Sequence, residues 1–333
     1  MIPNRCLRIA TNFTRVREAC GDIALIEQVD LQGYRSWSDL RRLLWGPDRA
    51  DAIIVNIDSQ LTFRLCLLKW LVPLPAAPVI SVDIIVSRPQ GLAQRCAAFI
   101  KKLLLRKVSL FILYFKDLVA YDRYYGIGPS RSAYVPFKSN SWELLRPEDT
   151  TNNDGQYVLA AGRTKRDIQT YFAAMQLTGL PAVLLHEDDA RMAKHGTTFD
   201  ASNRPSNLKL VKHDGGRRSW IEHLRNARVI VVPILGSTIS SSGIGTYIDA
   251  MAMRKAVVIT DGPATRGIIT DQAMVIPIAD AHAMAAVVTA LWHNDSLRHS
   301  LSNRARAYAE QLKGEDRLLN DVLKVAIERC IAQ

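Results

Sequence analysis

Two short stretches concentrate residue types suited to a highly charged ligand. In STISSSGIGTYIDAMAMRK, Ser240, Ser241, Ser242, Gly243 and Gly245 stand directly before a helical run with Thr246 near its start. The first turn of a helix presents unpaired backbone N–H groups and the positive end of its dipole, so small residues there let phosphate oxygens approach. Asp249 falls about one turn further on, where a carboxylate can accept hydrogen bonds from a ribose diol. The same residues also describe a capped helix whose Asp249 offsets the dipole. In VLAAGRTKRD, Gly162 ends an apolar run and is followed by Arg163, Thr164, Lys165 and Arg166, with Asp167 opening the next helix. Three cations at a strand end suit a diphosphate, and arginine adds bidentate contact; the competing reading is a solvated basic loop.

These stretches need a frame. QYVLAAG, PAVLL, LKLVKH, ARVIVVPI, AVVIT and AMVIPI read as buried strands. They alternate with helices such as RTKRDIQTYFAAMQLTG, which stops at Gly179, WIEHLRNA, GTYIDAMAMRK and DAHAMAAVVTALWHN. Continuous apolar strands between helices mean a parallel sheet covered on both faces. The first half repeats the theme with LRIATNF, IALIEQV, DAIIVNID, PVISVDIIV, SLFILYF and SAYVPF. Its helices fill WSDLRRLLW and the segment 92–107. The polar KSNSWELLRPEDTTNNDGQ divides the halves. The fold expected is α/β, with two doubly wound parallel-sheet domains facing each other across a cleft. Residues 1–147 form the first and 153–315 the second, and a helix over 316–333 packs back toward the first.

VLAAGRTKRD, ARVIVVPI, SSGIGTYIDAMAMRKAVVIT and LRHSLSNRARAYAEQ together resemble the donor domain of GT-B-fold glycosyltransferases. They are most similar to the group that uses nucleotide sugars with retention of configuration. AYDRYYGIGPSRSAYVPFK resembles the approach to that family's interdomain linker. The resemblance implies Rossmann-like domains, a nucleoside diphosphate sugar held by the second and an acceptor glycan or lipid-linked sugar held by the first. It implies no cofactor and no essential metal. Donor contacts map onto Gly162, Arg163, Thr164, Arg166, Ser241, Ser242, Gly243, Thr246 and Asp249, with Arg163 and Arg166 stabilising the departing diphosphate. Two departures stand out: Ser241 occupies the place of the family's first glutamate, and Asp249 replaces the second. A role in cell-surface polysaccharide or glycolipid assembly is implied by the family alone. The competing readings are a nucleotide-sugar epimerase of the same fold and a non-catalytic partner subunit that binds a sugar nucleotide.

All seven histidines lie in the second half, so proton transfer from the first half needs another group. Asp58, ending the strand DAIIVNID, and Asp83, within PVISVDIIV, are the candidates for a base toward an acceptor hydroxyl. A helix cap for Asp58 and a turn for Asp83 are the plainer readings. The segment LAQRCAAFIKKLLLRK has five cations and no acid. Leu92, Cys96, Phe99 and Leu103 form a stripe, flanked by Arg95, Lys102 and Arg106. Such a helix suits an anionic membrane surface, although most amphipathic helices turn the stripe into a core.

Composition fits this picture. The 333 residues are 48% hydrophobic and 23% charged, which excludes disordered and fibrous classes. The net charge is +11, and residues 1–145 hold 20 basic against 12 acidic side chains, so the anionic partner belongs mainly to the first half. No nucleic-acid-binding motif is present, and nucleic acid is not an expected partner. Cys6, Cys20, Cys66, Cys96 and Cys330 are odd in number and scattered, which fits neither a disulfide framework nor a zinc site. The expected location is the cytoplasm, peripheral on the inner face of the membrane.

Overall fold

The computed structural model describes residues 6–16, 25–151 and 155–331; Cys20 and the expected start of the second domain at residue 153 lie outside them. The chain divides into two compact units. Unit 1 comprises Met1–Pro136 with Asp316–Gln333, and unit 2 is Phe137–Glu315.

Unit 1 contains β1 (Leu7–Thr11), β2 (Ile26–Asp30), α1 (Trp37–Trp45), β3 (Ala52–Asn56) and α2 (Ser59–Leu71). It continues with β4 (Val79–Val82), α3 (Gly91–Leu105), β5 (Leu110–Leu113), α4 (Val119–Tyr125) and β6 (Ser132–Tyr134). The strands pair in the order β2-β1-β3-β4-β5-β6, all parallel. The residues of β4 and β5 are buried throughout, as expected of strands covered on both faces. Helix α1 starts with a reciprocal cap: the Asp39 amide donates to Ser36 Oγ at 3.1 Å, and the Ser36 amide to the Asp39 carboxylate at 3.0 Å. Its Leu40, Leu43 and Leu44 pack with Ile53, Val55 and Leu65 into one core. The apolar run PVISVDIIV is a strand only as far as Val82, because Asp83 turns to φ +46° and leaves the extended conformation.

Unit 2 contains β7 (Tyr157–Ala161), α5 (Ile168–Thr178), β8 (Ala182–His186), α6 (Asp189–Lys194), β9 (Leu208–Lys212) and α7 (Arg217–Arg225). Then follow β10 (Ala227–Val232), α8 (Ile244–Ala252), β11 (Ala256–Thr260), β12 (Met274–Ile276), α9 (Ala281–His293) and α10 (Asp295–Leu312). The sheet runs β12-β11-β10-β7-β8-β9, again parallel. Its strand order reverses between β7 and β10. In open α/β sheets ligands bind outside the carboxyl ends of the strands at such a reversal. Helix α5 begins at its Asp167 cap and ends where Gly179 takes φ +65°. Phe172 and Met175 of α5 pack with Val158, Val229, Val258 and Met284 in the core. Helix α11 (Glu315–Cys330) returns the chain to unit 1, burying Leu318, Leu319, Val322, Leu323, Ala326 and Ile327.

Candidate active site

The strand reversal of unit 2 puts Gly162, which follows β7, beside the loop that follows β10. Gly162 has φ +99°, and a Cβ there would stand 2.2 Å from the Arg166 guanidinium. Lys165 also takes a positive φ, +53°, so residues 163–166 fold back on the strand end. Arg166, only 3% exposed, therefore runs back beneath Gly162. Its Nε donates to Ala161 O at 2.9 Å, its Nη1 to Thr164 O at 2.7 Å and its Nη2 to Thr246 Oγ1 at 2.9 Å. The Arg166 amide donates to Thr197 Oγ1, whose hydroxyl in turn donates to Arg163 O. Burial lowers the Arg166 pKa to about 10, and among the described residues no carboxylate offsets that effect. Arg166 is thus a buried cation whose partners among the described residues are neutral oxygens.

Thr246 lies in the first turn of α8. Gly243 forms the helix cap with φ +94°, and no side chain caps the turn. A Cβ on Gly243 would meet Ile234 at 2.9 Å and Val232 at 3.0 Å, so glycine is required here by conformation and by space. Ser241, Ser242 and Thr246 are each less than a tenth exposed. Gly245 packs against the Asn140 side chain, which a Cβ would meet at 2.7 Å. The structure thus brings Gly162, Arg166, Gly243 and Thr246 together. Arg163 points outward and pairs with Glu187 at 2.9 Å.

Asp249 differs from the ribose-facing expectation. It is 1% exposed. Its Oδ1 accepts from Ser139 Oγ at 2.7 Å and the Ser141 amide at 3.1 Å. Its Oδ2 accepts from Ser141 Oγ at 3.1 Å and Trp220 Nε1 at 3.0 Å. Four donors match the roughly four lone-pair sites of a carboxylate, and Arg217 stands 3.8 Å away. Burial raises the Asp249 pKa against these hydrogen bonds. In this arrangement Asp249 fastens residues 139–141 to α7 and α8. Ser139, Ser141 and Trp220 carry no motif, and sequence reading missed them. A parallel fastening, also missed, joins buried Asp149 to Arg218 through contacts of 2.6 and 3.0 Å, with Arg225 at 3.6 Å.

In unit 1, Asp58 is exposed and caps α2, accepting from the Leu61 amide at 2.9 Å. Asp83 is 8% exposed at the turn after β4. In α3, Arg95, Phe99 and Arg106 are exposed, while Leu103 is half-buried and Lys102 reaches back to Arg123 O at 3.3 Å. Among the described residues, no group of three or more His, Cys, Asp or Glu could hold a metal ion, and no helix is long and apolar enough to cross a membrane.

The family model of glycosyl transferases group 1 matches residues 155–294, which span both halves of this site. Two similar structures are those of HepE from Anabaena with UDP-glucose and sucrose-phosphate synthase from Thermosynechococcus elongatus. HepE has a TM-score of 0.69 and 10% identity over 97% of this chain and 99% of that one. The synthase has a TM-score of 0.63 and 16% identity over 85% and 75%. A UDP-forming trehalose-phosphate synthase from Burkholderia xenovorans gives 0.61 and 12% over 91% and 79%. At these identities the likeness is one of fold. No curated protein matches the sequence.

Proposed function

Proceeding from a chain that carries a glycosyl transferases group 1 domain on a GT-B fold, we propose that it moves a sugar from a nucleoside diphosphate sugar to an acceptor hydroxyl. The observation that carries this is Arg166. Burying a guanidinium is costly unless a counter-charge meets it, and no carboxylate in the described residues does so. Three of its hydrogen bonds go to neutral oxygens, and donors remain on both terminal nitrogens. A diphosphate at the start of α8 supplies the missing charge. As the glycosidic bond breaks, negative charge grows on that diphosphate, and fixed donors stabilise it without reorganising. Arg163 adds a second, exposed cation at the rim.

The finer proposals are hexosyl transfer with retention, independence from metal, and an acceptor that is a glycan or a lipid-linked sugar. With Asp58 capping its helix and Asp83 buried after β4, we assign the acceptor proton to the departing phosphate. Configuration is read by NMR of the first-formed product, and unchanged turnover in a chelator supports metal independence. We also place the protein at the inner face of the membrane, through the cations and apolar stripe of α3, in surface polysaccharide or glycolipid assembly. The occupied carboxylate of Asp249 favours one second reading, a subunit that binds a sugar nucleotide without turnover.

The test is thermal stabilisation by nucleoside diphosphates and their sugars. A ligand at about 100 times its dissociation constant adds roughly 2.7 kcal/mol. We expect a shift with one nucleotide, lost in Arg166→Met. No shift with any of them, in a protein that melts cooperatively, would overturn the reading. A shift without turnover selects the non-catalytic subunit.

A further inference from the structure

Helix α3 does not turn its apolar stripe into the core: of its 15 residues only Ala98 and Leu105 are buried. Leu92, Phe99 and Ile100 are 80%, 61% and 59% exposed. Helix α2 has a related imbalance. Its sequence, SQLTFRLCLLKWL, is apolar nearly all round, a pattern that calls for apolar surroundings on every side. Leu65, Cys66 and Leu68 face the sheet, yet Trp70 and Leu71 remain exposed. The two helices lie side by side. Trp70 Nε1 donates to Leu103 O at 3.1 Å, Lys107 lies 5.2 Å over the Trp70 ring, and Lys101 lies 5.5 Å over Phe63.

The loop after α2 extends the same surface. Val72–Ala77 contains Pro73 and Pro75 and is tied down at three points. Trp45 Nε1 donates to Leu74 O, Lys69 Nζ to Ala77 O, and the Ala77 amide to Leu44 O. Leu74 is left 62% exposed on a backbone that is already fixed. The charge along this surface is mostly of one sign, with exposed Asp58 at the cap of α2 and Asp117 bounding it. From Ser59 to Lys116 the chain has nine Lys and Arg against a single acid, Asp83, which is buried.

We propose that α2, the loop bearing Leu74, and α3 form one surface that inserts into an anionic lipid bilayer. Leu71, Leu74, Trp70 and Phe99 enter the headgroup–acyl boundary, and Arg95, Lys101, Arg106 and Lys107 meet the lipid phosphates. A tryptophan flanked by lysine suits this interface, where an amphipathic ring and a cation lie at headgroup level. A pinned loop loses little entropy on insertion. Exposed leucine and aromatic side chains flanked by an excess of cations fit anionic lipid better than a protein partner. This deepens the membrane-face reading of α3 and rests on it, while standing apart from the donor chemistry.

The experiment is co-sedimentation of the full chain with phosphatidylcholine vesicles, with and without phosphatidylglycerol. Wild type should sediment only with the anionic vesicles. Arg95→Ala and Arg106→Ala should each weaken binding about fivefold. The neutral pair Leu71→Ser with Leu74→Ser should weaken it about tenfold, since both leucines lose their apolar burial in lipid. These positions are exposed, so the melting temperature and its shift with the stabilising nucleotide should stay unchanged. If the serine pair binds like wild type while the arginine variants weaken, insertion falls and adsorption through α3 stands. If wild type sediments with neither vesicle, both fall, and the nucleotide-induced melting shift still judges the transferase separately. A dimer in sedimentation velocity that the serine pair dissociates makes the surface a self-interface and overturns the proposal.

Discussion

Gly162→Ala changes one methyl group in a turn that has no space for it. The new Cβ would displace the Arg166 guanidinium, and φ +99° is closed to alanine. We expect a loss of about 2 kcal/mol in stability, read by denaturant titration, together with loss of the nucleotide-induced melting shift. Asp249 separates structural from ligand-binding roles. Asp249→Ala takes the acceptor from Ser139 Oγ, Ser141 Oγ and Trp220 Nε1, while the Ser141 amide keeps Ser139 Oγ, and should cost about 3 kcal/mol. Asp249→Asn keeps one oxygen and the shape, so it should cost less and retain the nucleotide shift; a fully folded Asn variant that binds no nucleotide would return Asp249 to the ribose. The sequence displayed Arg166 as a cation but not as a buried one, because burial comes from a backward turn at Lys165 that no residue type announces. Asp249 was legible as a helix carboxylate. Its partners Ser139 and Ser141 stand more than a hundred positions away, and pairing over that distance leaves no local pattern.

At the scale of elements, α7 acts as a clamp whose residues hold both buried aspartates, Asp249 through Trp220 and Arg217, and Asp149 through Arg218 and Arg225. Burial pushes the Asp149 carboxyl up, but Arg218 and the Arg146 amide outweigh it and hold the pKa below the ordinary value. A carboxyl depressed in the folded state contributes stability above its unfolded pKa of about 3.9 and loses it as pH falls through the folded value. Melting temperature should therefore fall on acidification below about pH 4, and Asp149→Asn should flatten that limb. A variant with an acid limb as steep as that of wild type would remove Asp149 from the account. The strands were the most legible elements, since runs such as AVVIT and ARVIVV are buried nearly throughout. Helix α2 was the least legible. In a helix apolar all round, exposed Leu71 and buried Leu68 look alike in sequence, and only the position of the sheet tells them apart.

At the scale of the whole molecule, the chain is nested: unit 2 is one uninterrupted stretch, whereas unit 1 is assembled from two. Ending the chain after Lys313 removes α11, whose six buried apolar side chains belong to unit 1. The larger of these side chains are each worth on the order of 2 kcal/mol or more, so their loss together is comparable to the whole stability of an ordinary domain. Such a truncation should abolish the calorimetric transition of unit 1 while unit 2 keeps its nucleotide-dependent one; two intact transitions would show α11 to be dispensable. The nesting also sets an order of events on the ribosome. The stretch 137–315 can close its sheet as soon as it has emerged, but unit 1, although its first strands are made earliest, must wait for α11. Throughout that interval the newborn chain carries an incomplete unit 1, whose apolar side chains stay uncovered until α11 packs onto them.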